Sequence, residues 1–331
     1  MSKQSYYIFS SGELRKNNNS LTLYSDKVLK KDIPIERIRD IYVFGEITYN
    51  KRLFEFLGSY GINVHMFNYY NYYIGSFYPK EQKISGSLLV NQVKYYIDST
   101  KRLEIAKEFI VAASFNILRN LKYYQNRGKN LDIYIEEIEK LRMKIKDCNT
   151  ILELMGIEGN IRKTYYASWK IMINQEIDFE KRIKNPPDTM VNVLISLLNS
   201  VLYTKTLSII YQTELNPTIS YLHEPGTKRF SLTLDITEVF KPLIVDRTIF
   251  SLLNKNIITK EDFVKEDYYL KMKDASLKKV IQELENTLKR TIMHKNLKRE
   301  VTYERLIKLE LYKLIKHLMD DKKYEEFKIW W

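Results

Sequence analysis

Six of the ten glycines in this chain (Gly12, Gly45, Gly58, Gly61, Gly75 and Gly86) fall in the first 86 residues of 331. Glycine and the polar turn formers are what let a backbone reverse direction at short intervals. The first quarter can therefore turn often, while the rest must run in long elements. Aromatic and β-branched runs follow the same division. Segments 5–10 (SYYIFS), 21–24, 41–44 (IYVF), 63–67 (NVHMF) and 72–78 (YYIGSFY) read as short strands between turn signals. Segment 50–59 (NKRLFEFLGS) has apolar residues at helical spacing, with Gly61 as a stop. We expect an α+β chain: a small N-terminal β-rich domain over 1–86 and a larger all-α C-terminal domain over 87–331.

Beyond Leu88 the periodicity is helical. Val191, Leu194, Ile195, Leu198 and Leu202 mark one apolar face, and Ile307, Leu311, Leu314 and Leu318 mark another. Both read as core. The NPPD segment at 185–188 breaks the helices, and its Asp188 is placed to cap the next one. A second break, 216–226, contains Pro217, Pro225 and Gly226. Breaks between long buried helices are where chemistry tends to sit. The last 61 residues carry sixteen Lys and Arg against ten Asp and Glu and read as a solvated basic helical tail.

An apolar fraction of 44% supports a real core. Fifty-four Lys and Arg against forty-one Asp and Glu leave a net charge of +13, which makes a polyanion the default partner. The single cysteine, Cys148, excludes a disulfide framework and a cysteine zinc cage. No apolar run reaches the roughly 18–20 residues of a membrane span; the best, 191–203, is interrupted by Asn192 and Asn199. The N-terminus lacks a signal-peptide layout, so a cytoplasmic protein without a membrane partner is expected.

The chain has no G-x-S-x-G, no Walker-type loop and no G-x-G-x-x-G. Cys148 stands in a lysine-rich stretch with no histidine near it in sequence and reads as structural. Carboxylates with one histidine are the better lead. Glu158 lies between two glycines, just before a helix carrying Arg162, Lys163 and Tyr165. His223 occupies the second break, and Asp235 and Glu238 stand three apart in LDITEVFKP. On a helix, such a pair shares one face. A mostly oxygen set with one imidazole suits Mg²⁺ or Mn²⁺ better than Zn²⁺. Each piece also has a plainer reading: Asp235 and Glu238 as a capping box, His223 as a structural histidine, Glu158 as a helix-start acid. Arg162, Lys163, Lys228, Arg229, Lys241 and Arg247 all fall within a dozen residues of these acids. Acids that hold a cation, rimmed by bases that grip a backbone, are what phosphodiester chemistry requires.

The ordered series of segments resembles one family over nearly the whole chain. It runs YYIFSSGEL, IPIERIRDIYVFGEIT and GINVHMFNYYNYYIGSFYP, then SGSLLVNQVKYYIDSTKRLEIAKEFI, then GIEGNIRKTYY, NPPDTMVNVLISLLNSVLY, LNPTISYLHEP and SLTLDITEVFKPLIVDR. The chain is similar to the CRISPR-associated spacer-acquisition integrase, the first of the numbered Cas proteins, in its type I-B-like form. The resemblance implies a β-rich domain joined to a helical catalytic domain and metal-dependent cutting and joining of DNA. It implies Glu158, His223 and Glu238 as metal ligands, with Asp235 close to the metal and part of the catalytic set. Tyr165 falls on the motif tyrosine and Lys241 on a basic position suited to DNA phosphate. Both join Arg162, Lys163, Lys228, Arg229 and Arg247 as expected DNA contacts, whereas Asn192 falls on a packing position. Ser220 stands where many relatives carry glycine.

The activity so implied is integration of new spacers into a CRISPR array by attack of a fragment's 3′-hydroxyl on a repeat phosphodiester. The implied partners are DNA (fragment ends and the repeat), a second copy of the chain in a homodimer paired through the β-rich domain, and a small second adaptation protein. Two other classes fit the charge: a non-catalytic DNA-binding scaffold, and an RNA-binding protein that uses its tyrosines.

Overall fold

A computed structural model describes the chain apart from residues 1, 2, 27, 81, 82, 185, 228, 229, 267, 268, 326 and 331. It separates into two units, Met1–Ile84 and Ser85–Trp331. The first is strand-rich and the second is dominated by helices.

In the first unit, strands β1 (Gln4–Ile8), β2 (Gly12–Asn17), β3 (Ser20–Ser25), β4 (Val28–Pro34), β5 (Ile38–Val43) and β6 (Ile47–Thr48) precede helix α1 (Lys51–Ser59), and β7 (Asn63–Phe67) and β8 (Tyr73–Phe77) follow it. They form two four-stranded sheets, ordered β1-β5-β7-β8 and β4-β3-β2-β6. β1, β5 and β7 run parallel, so α1 is the crossover of a β5-α1-β7 unit, and β8 closes the edge antiparallel. Asn50 caps α1 by accepting from Leu53 N at 2.9 Å. Alternation puts Ile41, Val43 and Val64 on one face, where they meet Leu53, Phe56 and Leu57 of α1 and Leu14, Leu21 and Ile33 of the second sheet. The opposite face is aromatic: Tyr42 lies against Tyr7 at 4.9 Å and His65 at 4.8 Å between centroids. At the start of β2 only glycine fits, because Gly12 has φ +154° and a Cβ there would meet Tyr24 O at 2.1 Å.

The second unit is built on α2 (Gly86–Ile97), α3 (Ser99–Gln125), α4 (Asp132–Met143), α5 (Ile151–Met172), α6 (Met190–Ile210), α7 (Ser231–Lys241), α8 (Arg247–Asn254), α9 (Asp274–Lys289) and α10 (Tyr303–Leu318). The central α3 packs against α4, α5 and α7, and α7 lies between α3 and α6. Helix α6 is long and apolar enough to cross a membrane (mean hydropathy 1.6), so the expectation that no run reaches that length needs correcting. That window is 72% buried inside the protein, which makes α6 a core helix. Its two asparagines interrupt the apolar run without ending it. Asn192 is buried and accepts from Arg182 Nη1 at 3.0 Å and Ile183 N at 3.2 Å, which anchors the preceding loop. Asp188 does not cap α6: Thr189 does, and Asp188 accepts from Asn192 Nδ2 instead.

The C-terminal stretch is not an uninterrupted helical tail. Two hairpins interrupt the helices: β9 (Phe263–Glu266) with β10 (Tyr269–Met272), and β11 (Thr291–His294) with β12 (Arg299–Thr302). Leu277, Val280, Leu284, Leu306, Ile307, Leu311 and Leu314 are all buried, so α9 and α10 belong to the core.

Candidate active site

Three elements of the helical unit carry the candidate residues. Glu158 sits in the middle of α5, not at a helix start. The helix begins at Thr150, whose hydroxyl accepts from Glu153 N at 3.2 Å, and runs through both Gly156 and Gly159. Two helical glycines cost roughly 2 kcal/mol against alanine, which the buried stripe Leu154, Ile161, Tyr165, Trp169 and Met172 offsets. A Cβ at either glycine would meet nothing within 4 Å, so the helix surface flanking Glu158 is bare.

His223 is held by its loop from several sides. Gln92 of α2 exchanges two hydrogen bonds with the Asn216 backbone, at 2.8 and 3.2 Å. Pro217 O accepts from Leu232 N at 3.0 Å and Thr218 O from Ser231 Oγ at 2.7 Å, which ties the loop to the uncapped start of α7. Arg102 of α3 donates to Tyr221 O at 2.8 Å and to the Glu224 carboxylate at 2.6 Å. Ser220 donates its hydroxyl to His223 O at 2.5 Å, a bond glycine would lack.

Asp235 is the inner anchor. It is fully buried within α7, so it is no N-cap. One carboxylate oxygen accepts from Tyr221 N (2.7 Å) and Leu222 N (3.0 Å). The other accepts from His223 N (2.9 Å) and faces His223 Nδ1 at 2.8 Å. A carboxylate can only accept there, so Nδ1 donates to Asp235 and Nε2 is the nitrogen left for a further partner.

One turn on, Glu238 is 7% exposed. Lys241 donates to one of its oxygens, and Arg162 Nη2 donates to the other at 2.6 Å. Burial works against its ionisation, but Lys241, Arg162 and the nearby His223 hold the carboxyl down to about 2. Arg162 also donates from Nε to Glu158 at 3.2 Å, so one guanidinium joins Glu158 to Glu238. Burial opposes that charge, and Glu238, Tyr166 and Glu158 keep it protonated.

Sequence reasoning missed Asp246. After Pro242, residues Pro242–Asp246 form a π-helical turn, whose widened backbone Asn120 braces by donating to Pro242 O at 2.7 Å. The turn brings buried Asp246 to 3.9 Å from Arg162 Nη1. Burial pushes its carboxyl up to about 7, while Arg162 and Lys241 pull the other way. A lone acid in the apolar run PLIVD was the signal available. Arg102 offered none, because its partners lie about 120 residues away in sequence.

The expected DNA contacts fall in different settings. Tyr165 is fully buried, and its hydroxyl accepts from Asn120 at 3.1 Å, so it belongs to the core beneath the acids. Helical spacing from Ile161 to Trp169 turns it inward. Arg162 also points inward, with a 12% exposed side chain. Lys241 is engaged with Glu238, and Arg247 lies over the Tyr123 ring at 5.7 Å. Lys163 is exposed on α5, and Lys228 and Arg229 lie outside the described residues. Cys148 is buried and burial raises its thiol pKa, so it is no activated nucleophile.

Glu158 and Glu238 therefore converge on one guanidinium, and His223 is near enough to Glu238 to affect its charge. Among the described residues, no three His, Cys, Asp or Glu side chains already stand close enough together to hold a metal ion. The donor chemistry nonetheless fits a hard divalent cation: carboxylate oxygens plus an imidazole Nε2 whose other nitrogen is fixed by a carboxylate.

The family model described as CRISPR associated protein Cas1 matches residues 6–286. The chain belongs to the Cas1 family. It is 56% identical over 329 residues to the CRISPR-associated endonuclease Cas1 of Fusobacterium nucleatum, covering 99% of this chain and 97% of that one. A solved Cas1 structure from Thermotoga maritima superposes with a TM-score of 0.88 at 39% identity, covering 98% of this chain and all of the other. A chain of a Cas6-RT-Cas1–Cas2 complex shares the fold, with a TM-score of 0.85 at 18% identity, over all of this chain and 36% of that one. The strand-rich and helical halves are thus the Cas1 architecture.

Proposed function

We propose that this Cas1-family protein is a metal-dependent DNA endonuclease and integrase that inserts spacers into a CRISPR array by transesterification. The observation that carries the reading is the convergence of Glu158 and Glu238 near an imidazole whose Nδ1 donates to Asp235. Glu158, His223 and Glu238 would hold Mg²⁺ or Mn²⁺. The ion, when bound, supplies Lewis-acid polarisation of a phosphate oxygen and neutralises developing charge.

The chain's own residues do the rest. Asp235 sets the histidine tautomer and fixes its loop. Lys241 places an ammonium beside Glu238, within reach of a phosphate that approaches the same acids. The bare helix surface at Gly156 and Gly159 admits a DNA backbone close to Glu158. Exposed Lys163, with Lys228 and Arg229, adds backbone charge. In the joining step, the fragment's 3′-oxygen bonds to phosphorus and the repeat's 3′-oxygen leaves, taking the proton. Water in place of the hydroxyl gives plain cleavage. No covalent protein intermediate is needed, in keeping with the buried Cys148.

Family membership supports a homodimer paired through the β-rich unit and a small Cas2-type partner. The test is strand transfer into a repeat-bearing plasmid, with and without EDTA. Glu158→Ala and His223→Ala each lose at least 100-fold in activity while duplex DNA affinity stays within about threefold. Strand transfer at the wild-type rate in either variant, or in EDTA, leaves the non-catalytic scaffold as the better reading.

A further inference from the structure

Arg162 sits where a cation-binding site would need its charge. Its three guanidinium nitrogens face three carboxylates: Nε to Glu158 at 3.2 Å, Nη2 to Glu238 at 2.6 Å and Nη1 to Asp246 at 3.9 Å. The first two are also hydrogen bonds, whereas the third is an ion pair too long to be one. Arg162 Nη1 and Asp246 Oδ2 are both buried without a hydrogen-bond partner. Two buried polar atoms that could pair, facing each other at 3.9 Å, beyond hydrogen-bond reach, are unusual in a protein interior. The π-helical turn at Pro242–Asp246 is what delivers that acid to this spot.

We propose that Arg162 is the resident counter-ion of the metal site, holding Glu158 and Glu238 in the metal-free protein and passing to Asp246 when a divalent cation takes the two acids. This rests on the metal-dependent reading above. A divalent ion bound by Glu158 and Glu238 beside an unmoved guanidinium would face strong repulsion in a buried setting. The planar fork of arginine can give up two acceptors and complete a bond to the third with a small rotation. Asp246 is thereby the receiving group, and the orphan pair is the open half of a two-position contact. Arg162 competes with the ion, and Asp246 relieves the competition.

The test is Mn²⁺ titration calorimetry on the full-length, EDTA-treated protein, paired with thermal unfolding. Arg162→Gln binds Mn²⁺ about tenfold more tightly than wild type, although its Tm in EDTA falls by several degrees. Arg162→Lys, the milder variant should Gln not fold, also binds more tightly, because an ammonium cannot bridge three acids. Asp246→Asn binds Mn²⁺ about tenfold more weakly, without a lower Tm in EDTA. Wild-type or weaker affinity in both Arg162 variants overturns the proposal, as does unchanged affinity in Asp246→Asn. Glu158→Ala separates the two levels. If it loses Mn²⁺ binding while the Arg162 variants match wild type, the counter-ion role alone fails. If it binds Mn²⁺ as wild type does, the metal-site reading fails and takes this proposal with it.

Discussion

Asp235 and Asp246 are both almost wholly buried, and they sit eleven positions apart along the same stretch of helix. They are provided for in opposite ways. Asp235 receives three backbone amides and an imidazole N–H, so all its acceptor capacity is directed at one loop. Asp246 takes a hydrogen bond from Tyr165, but one of its oxygens has no donor and faces the Arg162 guanidinium beyond hydrogen-bond reach. A buried carboxylate with all its donors in place is a fixed part of the scaffold, whereas one with an oxygen left over can take a further partner.

The largest way to break this contrast is Asp235→Ala. It strands three buried amides and frees the imidazole, and should cost about 5 kcal/mol in urea unfolding together with all strand transfer. A loss under about 1 kcal/mol would mean the loop holds itself. Next comes pH. The folded chain keeps a proton on Asp246 up to about pH 7 that the unfolded chain releases near 4. Wild-type stability therefore falls as pH rises through that window. Asp246→Asn lacks this slope, so its stability relative to wild type should rise by on the order of 3 kcal/mol between pH 5 and pH 7.5. Glu238, held near 2, acts only below its usual 4.5 and does not overlap with this range. A flat difference would put Asp246 in the same class as Asp235.

Arg102→Ala probes the outer side of the same loop. It should cost about 2 kcal/mol and speed amide exchange at 221–223, without moving the His223 tautomer seen by NMR. Ser220→Ala removes a single hydroxyl bond and should cost about 1 kcal/mol.

Much of the fold was legible in the residues because local signals agreed. The strand at Asn63–Phe67 and the capped helix after Asn50 were both written in periodicity and turn chemistry. The errors came where tertiary packing overrode local preference. Two glycines suggested that Glu158 opened a helix, but the apolar stripe beneath it carries α5 straight through. Taken alone, Asp235 read as a cap, because the amides it serves come from a loop more than ten residues upstream. The pairing of Arg162 with Glu158 lay within reach of the i, i+4 rule. Its grip on Glu238, 76 positions away, did not. The hairpins at 263–272 and 291–302 are short and charged, so they resembled helix surface.

The widened turn at Pro242–Asp246 sets a limit on how this region can change. Removing one residue there to restore a regular helix would rotate everything downstream by about 100°. Asp246 would swing off Arg162, and the apolar side of α8 would leave the core. Chains descended from this one can exchange side chains in the turn far more freely than they can alter its length.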